Sequence, residues 1–433
     1  MKLFRNITRL VISASLATVM TAAAWADEWT HALPEEVGMS SARLQRLTNV
    51  MQGYIDSGDV AGMVILIARD GKLPYEMAFG KRDLATNAPM LKDTIFRIAS
   101  QTKAIVSAGI MSLQEEGKLL VTEPLGKYLP EWMETNVAVA KEDGEGYDIV
   151  PAERSITIRD LLTHTSGIPY GAWINGLTDD AWMEAGFPGW YYASSDKPIR
   201  ELVREMAALP MVGQPGEKWV YGLNLDILGA LIEVVSGQTL DVFLKERFFD
   251  PLGMVDTQFY LPVSKLNRLA TVYVRTGPGE ITRASDEGIM WTQGDYVIGQ
   301  GPNLTLSGGA GLLSTAHDYS VFLEMLRNDG ATMSGEQLLS PMSISLLTTD
   351  HTGDIDFRPG VGFSYGFAVA LDRGIIGTPG NVGEFRWGGA YHSTYWVDPV
   401  ANLVVTAFTQ FGATAGLDDQ NKLRAMIYAA ITD

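Results

Sequence analysis

The chain has 433 residues, more than one compact core usually accommodates, so two domains or one domain with a large insertion is expected. Its formal net charge of −18 repels nucleic acid and anionic membranes and argues against both as partners. Apolar residues make up 46% of the chain, which favours a substantial core over extended disorder, and the lack of cysteine excludes disulfides and a cysteine nucleophile.

The first 26 residues have the pattern of a cleavable export signal. Basic residues precede an apolar segment at 10–20, and Ala24-Trp25-Ala26 fits the small-x-small cleavage rule. That segment is too short to span a bilayer comfortably, and no later run of about 18 apolar residues occurs. The sequence therefore predicts a bacterial periplasmic or secreted protein that begins at Asp27, with no stable membrane insertion of the mature chain.

Strand patterns lie near both ends of the chain and helical patterns lie between them. Residues 41–56 have helical spacing, and 62–80 is typical of two strands around an Asp70-Gly71 turn. Further helices are predicted at 104–113, 198–208, 224–235, 240–249, 316–327 and 418–431. Strands are predicted within 363–374, 383–389, 392–399 and 402–411.

This order predicts an α/β (α+β) fold: one antiparallel sheet built from both chain ends, flanked by helices, with an inserted, mostly helical domain. We assign 27–110 and 300–433 to the sheet domain and 111–299 to the helical domain.

A serine and a lysine stand where an apolar helix is predicted to begin. Ser100 and Lys103 share the stretch SQTK, and residues three apart lie on one helix face, within reach of each other. The helix is apolar nearly all round, which indicates burial. Burial disfavours the ammonium form, so a neutral amine can take the serine proton, while the helix N-terminus stabilises an oxyanion. The pattern is typical of an activated nucleophile, and equally of a serine cap followed by a lysine whose side chain extends to solvent.

A Ser-x-x-Lys pair alone is a weak signal, since Ser194 and Lys197 form another one in a polar loop. Four further stretches add weight: LLTHTSGIPYG at 161–171, PGEKWVYGLNLDILGALIEVVSG at 215–237, GGAGLLSTAHD at 308–318 and WGGAYHSTYWVDP at 387–399. Together with SQTK, they resemble the serine β-lactamase-like, penicillin-recognising superfamily, and most of all its class C β-lactamase-related family VIII carboxylesterases. The resemblance covers nearly the whole mature chain.

The resemblance implies roles for individual residues. Ser100 would be the nucleophile, Lys103 its partner, and Tyr221 the second proton-transfer group, with a phenolate stabilised by the lysine charge. Trp387-Gly388-Gly389 would be the strand beside the serine, close to the substrate because glycine permits it. The backbone N–H of Ala390 would complete an oxyanion hole with that of Ser100. No metal or organic cofactor is implied.

Two departures from the β-lactamase pattern favour esters over β-lactams. Leu223 stands two residues after the tyrosine, where β-lactamases carry a substrate-binding asparagine, so the resemblance implies that Leu223 lies in the substrate site. Asn224 follows one step later. Trp387 stands where they carry a cation that faces the antibiotic's carboxylate, and an apolar ring cannot pair that charge.

Other candidates carry weaker signals. The stretch GFSYG at 362–366 matches the elbow of α/β-hydrolases, but a strand rather than the required helix is predicted after Ser364. His392 is a candidate for the pocket border, whereas His164 fits a structural hydrogen bond better than catalysis, and no histidine has metal-ligand spacing. The aromatic-rich segment 170–192 is consistent with an apolar acyl or alcohol pocket and equally with ordinary packing.

The sequence therefore predicts an exported serine carboxylesterase that cleaves small-molecule esters through an acyl-enzyme on Ser100. The alternatives are a β-lactamase or D-amino-acid peptidase of the same fold, and a non-catalytic binding protein on this scaffold. The natural ester, the first proton acceptor and the oligomeric state stay open.

Overall fold

A computed structural model of the chain describes residues 29–171, 176–187, 189, 197–287, 291–294, 305–412 and 416–433. The predicted export signal at 1–26 lies outside the described residues, as do Ser194 and much of the aromatic-rich segment 170–192.

The strands lie mainly at the two ends of the chain. In chain order they are β1 (Thr30–His31), β2 (Gly62–Arg69), β3 (Lys72–Asp83), β4 (Ala88–Pro89), β5 (Phe96–Arg97), β6 (Asn136–Ala140), β7 (Tyr147–Pro151), β8 (Tyr273–Gly277), β9 (Glu280–Arg283), β10 (Leu313–Ser314), β11 (Val361–Phe363), β12 (Ala368–Ala370), β13 (Phe385–Gly388), β14 (Thr394–Asp398), β15 (Leu403–Phe408) and β16 (Phe411–Gly412).

The helices lie mainly between these two groups of strands. In chain order they are α1 (Ser41–Asp56), α2 (Thr102–Glu115), α3 (Ile158–Leu162), α4 (Asp179–Glu184), α5 (Ile199–Met206), α6 (Asn224–Ser236), α7 (Leu240–Leu244), α8 (Ala316–Arg327), α9 (Pro341–Thr348), α10 (Arg373–Ile376) and α11 (Asp419–Ala430).

The main sheet joins the two ends of the chain. Its order is β1-β3-β2-β15-β14-β13-β12-β11, and every neighbouring pair is antiparallel except β1 with β3. The N-terminal hairpin meets the C-terminal strands where β2 pairs with β15, from Val64 opposite Phe408 to Arg69 opposite Leu403. This arrangement confirms the predicted fold class.

Both faces of the sheet are covered, which explains the apolar run in β2. Every residue of β2 is buried. Because side chains alternate along a strand, Val64 and Leu66 pack into the core shared with α2, α6 and α8, whereas Ile65 and Ile67 pack against α1 and α11. The Asp70-Gly71 turn has positive φ at both residues, as a tight hairpin turn requires.

Two predicted elements differ from the structure. The helix predicted over 240–249 ends as α7 at Leu244 and continues as a π-helical turn at Lys245–Phe249. The strand predicted to run toward 374 ends at Ala370, because the Asp372 carboxylate accepts hydrogen bonds from the N–H groups of Gly374 and Ile375 and starts α10.

Within the described residues, no single helix is long and apolar enough to cross a membrane. α6 and the segment Leu240–Phe249 meet that test only together, as a pair bent by 82°.

A buried carboxylate ties β13 to α11. The Glu384 side chain is fully buried and accepts from Arg386 Nη1 at 2.9 Å and from the Tyr428 hydroxyl at 2.7 Å. Arg424 also donates to Glu384. An unpaired buried charge is strongly unfavourable, so each partner is needed to keep this carboxylate in place.

The change Glu384→Gln tests this network. We expect the free energy of unfolding to fall by about 3 kcal/mol, because two guanidiniums lose their shared counter-charge. Urea denaturation measures the loss. The control is Glu145→Gln, the same change on an exposed loop residue. Equal stability of the two variants would show that the network contributes little.

Candidate active site

The predicted nucleophile lies in a tight turn at the start of a buried helix. β5 leads into a 3₁₀ turn, Ala99–Gln101, which runs directly into α2. Ala99 has φ of +45°, a left-handed conformation that costs a residue with a side chain about 1–3 kcal/mol. Ser100 is 8% exposed and faces a cavity of about 550 Å³. The fold thus holds a strained turn so that one hydroxyl reaches this cavity.

Lys103 is the second residue of α2 and is fully buried. Its Nζ lies 3.2 Å from Ser100 Oγ, 2.6 Å from the Tyr170 hydroxyl and 2.7 Å from the carbonyl oxygen of Gly309. The lysine therefore does not extend to solvent, and the alternative of a solvent-seeking side chain is wrong.

These three contacts match a neutral amine as well as an ammonium ion. The carbonyl of Gly309 can only accept a hydrogen bond, and the Tyr170 hydroxyl can also accept one. A neutral amine has two N–H donors for these two groups, and its lone pair then faces Ser100. This geometry allows the serine proton to move to Lys103. The resulting ammonium group then has one N–H donor for each of its three neighbours.

Tyr221 lies on the cavity wall, but its hydroxyl faces a different partner from the one expected. Trp387 Nε1 donates to the Tyr221 hydroxyl at 3.1 Å. Lys103 Nζ lies 4.9 Å from the centroid of the Tyr221 ring, so the lysine charge sits over the ring face. The Tyr221 and Tyr170 rings meet edge to face at 5.1 Å. Negative charge on the Tyr221 oxygen would thus be stabilised by an indole N–H in addition to the nearby lysine.

The end of β13 forms the opposite wall of the cavity. Gly388, Gly389 and Ala390 all line it. A Cβ on Gly389 would lie 2.5 Å from the carbonyl oxygen of Ile98, so only glycine permits this close approach to the nucleophile turn. Among the described residues, the backbone N–H groups of Ser100 and Ala390 have no hydrogen-bond acceptor. Both are available to an oxyanion in the cavity.

A buried carboxylate supports the loop that holds Lys103. Asp226, on α6, is fully buried and accepts from Ser307 Oγ at 2.6 Å and from the backbone N–H of Gly309 at 3.2 Å. Burial raises the pKa of Asp226. A Cβ on Gly309 would lie 2.4 Å from Asp226 Oδ2, which accounts for glycine there. Asp226 therefore positions the carbonyl that accepts from Lys103.

His164 has the structural role that its sequence context favoured. Its Nδ1 accepts from Asn224 Nδ2 at 2.8 Å, and Asn224 in turn accepts from Ser166. The ring lies 4.7 Å from that of Tyr221. Burial, with Lys103 close by, holds the pKa of His164 well below its usual range. The histidine is therefore a neutral support behind Tyr221.

Other predicted residues lie outside the cavity wall. Leu223 is fully buried and packs in the core, so its side chain does not face a substrate. His392 lies next to the wall, and its Nε2 hydrogen-bonds both oxygens of Asp419, at 2.9 and 3.0 Å. Ser364 lies in a buried turn between β11 and β12 and donates to the Phe367 carbonyl, so no strand–turn–helix elbow is present there.

Sequence reasoning missed the roles of Tyr170, Gly309 and Asp226. In the sequence, Tyr170 stands out only as one member of the aromatic-rich segment. The other described aromatic residues of that segment, Trp182 and Phe187, pack against each other in the core. A usable signal for Asp226 was present, because a carboxylate on the apolar face of a predicted buried helix needs a partner.

The depressed His164 pKa predicts a pH-dependent stability. Below about pH 6.5 this histidine becomes protonated in the unfolded chain but stays neutral in the folded chain. The free energy of unfolding therefore falls as the pH decreases. We expect His164→Asn, which tolerates the left-handed backbone (φ +57°), to reduce the stability loss between pH 7.5 and 5.5 by about 1.4 kcal/mol. Urea denaturation at both pH values measures it. Exposed His31 provides the control, His31→Asn; wild-type pH dependence in His164→Asn would contradict the assignment.

Comparison with known proteins agrees with this geometry. The sequence pattern of the Beta-lactamase family matches residues 47–430. Esterase EstB of Burkholderia gladioli is 30% identical over 387 residues, which cover 87% of this chain and 93% of that protein. Lovastatin esterase of Penicillium rubens is 30% identical over 391 residues, which cover 82% of this chain and 90% of that protein.

A solved structure gives the same relationship. EstCE1, described as a hydrolase with promiscuous acyltransferase activity, is 28% identical and superposes with a TM-score of 0.76. The match covers 89% of this chain and 98% of that one. The chain therefore belongs to the Beta-lactamase family and is a serine hydrolase of that fold.

Proposed function

We propose that this serine hydrolase is an exported carboxylesterase that cleaves small esters through an acyl-enzyme on Ser100. The observation that carries the proposal is the 3.2 Å contact between Lys103 Nζ and Ser100 Oγ at the edge of the cavity. The amine's other two contacts are an acceptor carbonyl and a phenol, so its remaining position faces the serine. Two relatives that are named esterases support an ester as the bond that is cleaved.

Acylation begins when Ser100 Oγ attacks the ester carbonyl carbon. The serine proton passes to Lys103 Nζ, and the carbonyl oxygen becomes an oxyanion that accepts from the N–H groups of Ser100 and Ala390. Collapse of this intermediate breaks the bond to the alcohol oxygen, which takes a proton from the Tyr221 hydroxyl. Tyr221 regains its proton from Lys103, and the acyl group stays on Ser100.

Deacylation reverses these proton movements with water in place of the alcohol. Tyr221 first passes its proton to the neutral Lys103 amine. The resulting phenolate takes a proton from water while the water oxygen attacks the acyl carbon, and Lys103 later supplies the proton that Ser100 regains. The same two N–H groups hold the second oxyanion. Collapse releases the carboxylic acid and returns a proton to Ser100 Oγ. Trp387 Nε1 stabilises the phenolate in both halves of the reaction.

Two features support esters over amide-type substrates. The side chains of Leu223 and Asn224 are both fully buried, and Asn224 is engaged with His164 and Ser166, so neither supplies a side-chain amide to the cavity. Trp387 places an apolar ring on the wall beside Tyr221.

Export belongs to the same proposal. It rests on the basic residues Lys2, Arg5 and Arg9, the apolar segment at 10–20 and the cleavage pattern before Asp27.

Covalent labelling and turnover test the nucleophile together. We expect 4-nitrophenyl acetate and butyrate to be cleaved, and a chromogenic cephalosporin to be cleaved far more slowly. Ser100→Ala should lose at least about four orders of magnitude in kcat, because the acyl group has no acceptor. An organophosphate should add to the Ser100 peptide, and the intact mass of the same sample reports whether the chain begins at Asp27.

The matched control is Ser364→Ala, which removes a buried hydroxyl outside the cavity. An adduct on any residue other than Ser100 would refute the assignment. Cephalosporin turnover equal to ester turnover would favour a β-lactamase, and neither turnover nor labelling would favour a binding protein.

Tyr170 provides an independent test of how Lys103 is held. We expect Tyr170→Phe to lower kcat about 10- to 100-fold, because one acceptor of the amine is lost and the base is held less well in the direction of Ser100. Steady-state kinetics with 4-nitrophenyl butyrate measures the change. Tyr365→Phe removes a phenol hydroxyl from a buried residue outside the cavity and should have little effect. A kcat for Tyr170→Phe equal to that of wild type would mean that the contact does not matter for proton transfer.

A further inference from the structure

One of the two arginines on the described cavity wall, Arg358, has an unusual set of neighbours. Arg358 precedes β11, and its backbone carbonyl accepts from the N–H of Val361 at 2.9 Å, which closes a tight turn. Its guanidinium carbon lies 4.8 Å from the centroid of the Phe357 ring and 5.7 Å from that of Trp387. The arginine therefore lies against the same tryptophan that donates to Tyr221.

The Arg358 charge has no counter-ion among the described residues. No carboxylate forms an ion pair with it, and its guanidinium donates to no side chain or carbonyl in that part of the chain. The other cation on the wall, Arg386, is paired with Glu384. The described lining contains no acidic side chain, although the chain as a whole has 51 acidic and 33 basic residues.

We propose that Arg358 makes this enzyme selective for esters that carry a carboxylate group elsewhere in the molecule. The inference rests on the proposed esterase function. A guanidinium presents a planar fork of N–H donors that fits a carboxylate with two parallel hydrogen bonds. Packing against the Phe357 and Trp387 rings limits the orientations of the guanidinium. The side chain therefore loses less conformational entropy when a carboxylate binds. A cation that is paired within the protein would not offer these donors.

Matched ester pairs isolate the charge from the reacting bond. On the acyl side, 4-nitrophenyl hydrogen glutarate is compared with methyl 4-nitrophenyl glutarate. On the alcohol side, 4-acetoxybenzoic acid is compared with methyl 4-acetoxybenzoate. Each acid differs from its partner only by one methyl group on a carboxylate, and release of 4-nitrophenol or of the hydroxybenzoate product is measured. The two pairs show on which side of the ester the carboxylate is bound.

We expect the wild-type enzyme to have a higher kcat/KM for the acid than for its methyl ester in at least one pair. In that pair Arg358→Gln should lower the acid-to-methyl-ester ratio about 10- to 100-fold, and Arg358→Lys should restore part of it. Added salt should reduce the wild-type ratio, because ions screen the attraction. The control Arg373→Gln removes the same charge from an exposed residue outside the cavity and should leave the ratio unchanged.

The outcomes separate this inference from the esterase proposal. Turnover of the methyl esters with no change of ratio in Arg358→Gln overturns the inference and leaves the esterase function intact. An equal loss on both members of each pair, or the same change of ratio in Arg373→Gln, also overturns it. No turnover of any of the four esters would overturn the proposed function itself.

Discussion

The buried amine of Lys103 is the constraint on which the rest of the site depends. A lysine nitrogen that has lost its water is unfavourable unless the protein replaces each contact, and here the three replacements come from different parts of the chain. Ser100 belongs to the same helix start, Tyr170 follows α3, and Gly309 lies in the loop before β10. The segments that carry Tyr170 and Gly309 must therefore pack against the start of α2 for Lys103 to be buried. Stability of the fold and geometry of the site are linked through one nitrogen atom.

The stretch from Tyr221 to Asp226 shows how few residues make that link. Tyr221 faces the cavity, Asn224 binds His164 behind it, and Asp226 holds the loop whose carbonyl accepts from Lys103. These side chains point in three directions because Tyr221 lies in the segment before α6, whereas Asn224 and Asp226 leave the first turn of α6 at different angles around its axis. A shift of this helix start would disturb the phenol, its aromatic support and the lysine acceptor together.

Local patterns predicted much of the fold, and long-range contacts account for what they missed. α1 and α8 have the predicted bounds, because an N-cap and an apolar stripe are patterns that a few neighbouring residues determine. Ser100 and Lys103 were found for the same reason, since three residues separate them. Tyr170 and Gly309 meet Lys103 only through the tertiary fold, and no spacing in the sequence expresses that meeting. The predicted position of Leu223 in the substrate site is wrong, because the turn before α6 directs its side chain into the core.

The same limit explains why the sequence does not show the charge of the cavity. Trp387 replaces the cation that β-lactamases carry there, yet Arg358 lies against that ring from a turn 29 positions earlier in the chain. The acidic excess of the chain does not cancel this local charge, because ions screen surface charges beyond about 10 Å at 0.1 M salt. Inside the cavity the nearest groups decide the potential, and there Arg358 has no described carboxylate beside it, whereas Arg386 has Glu384. An acidic protein can therefore present a positive wall to its substrate, and only the folded arrangement reveals which of its 33 basic residues does so.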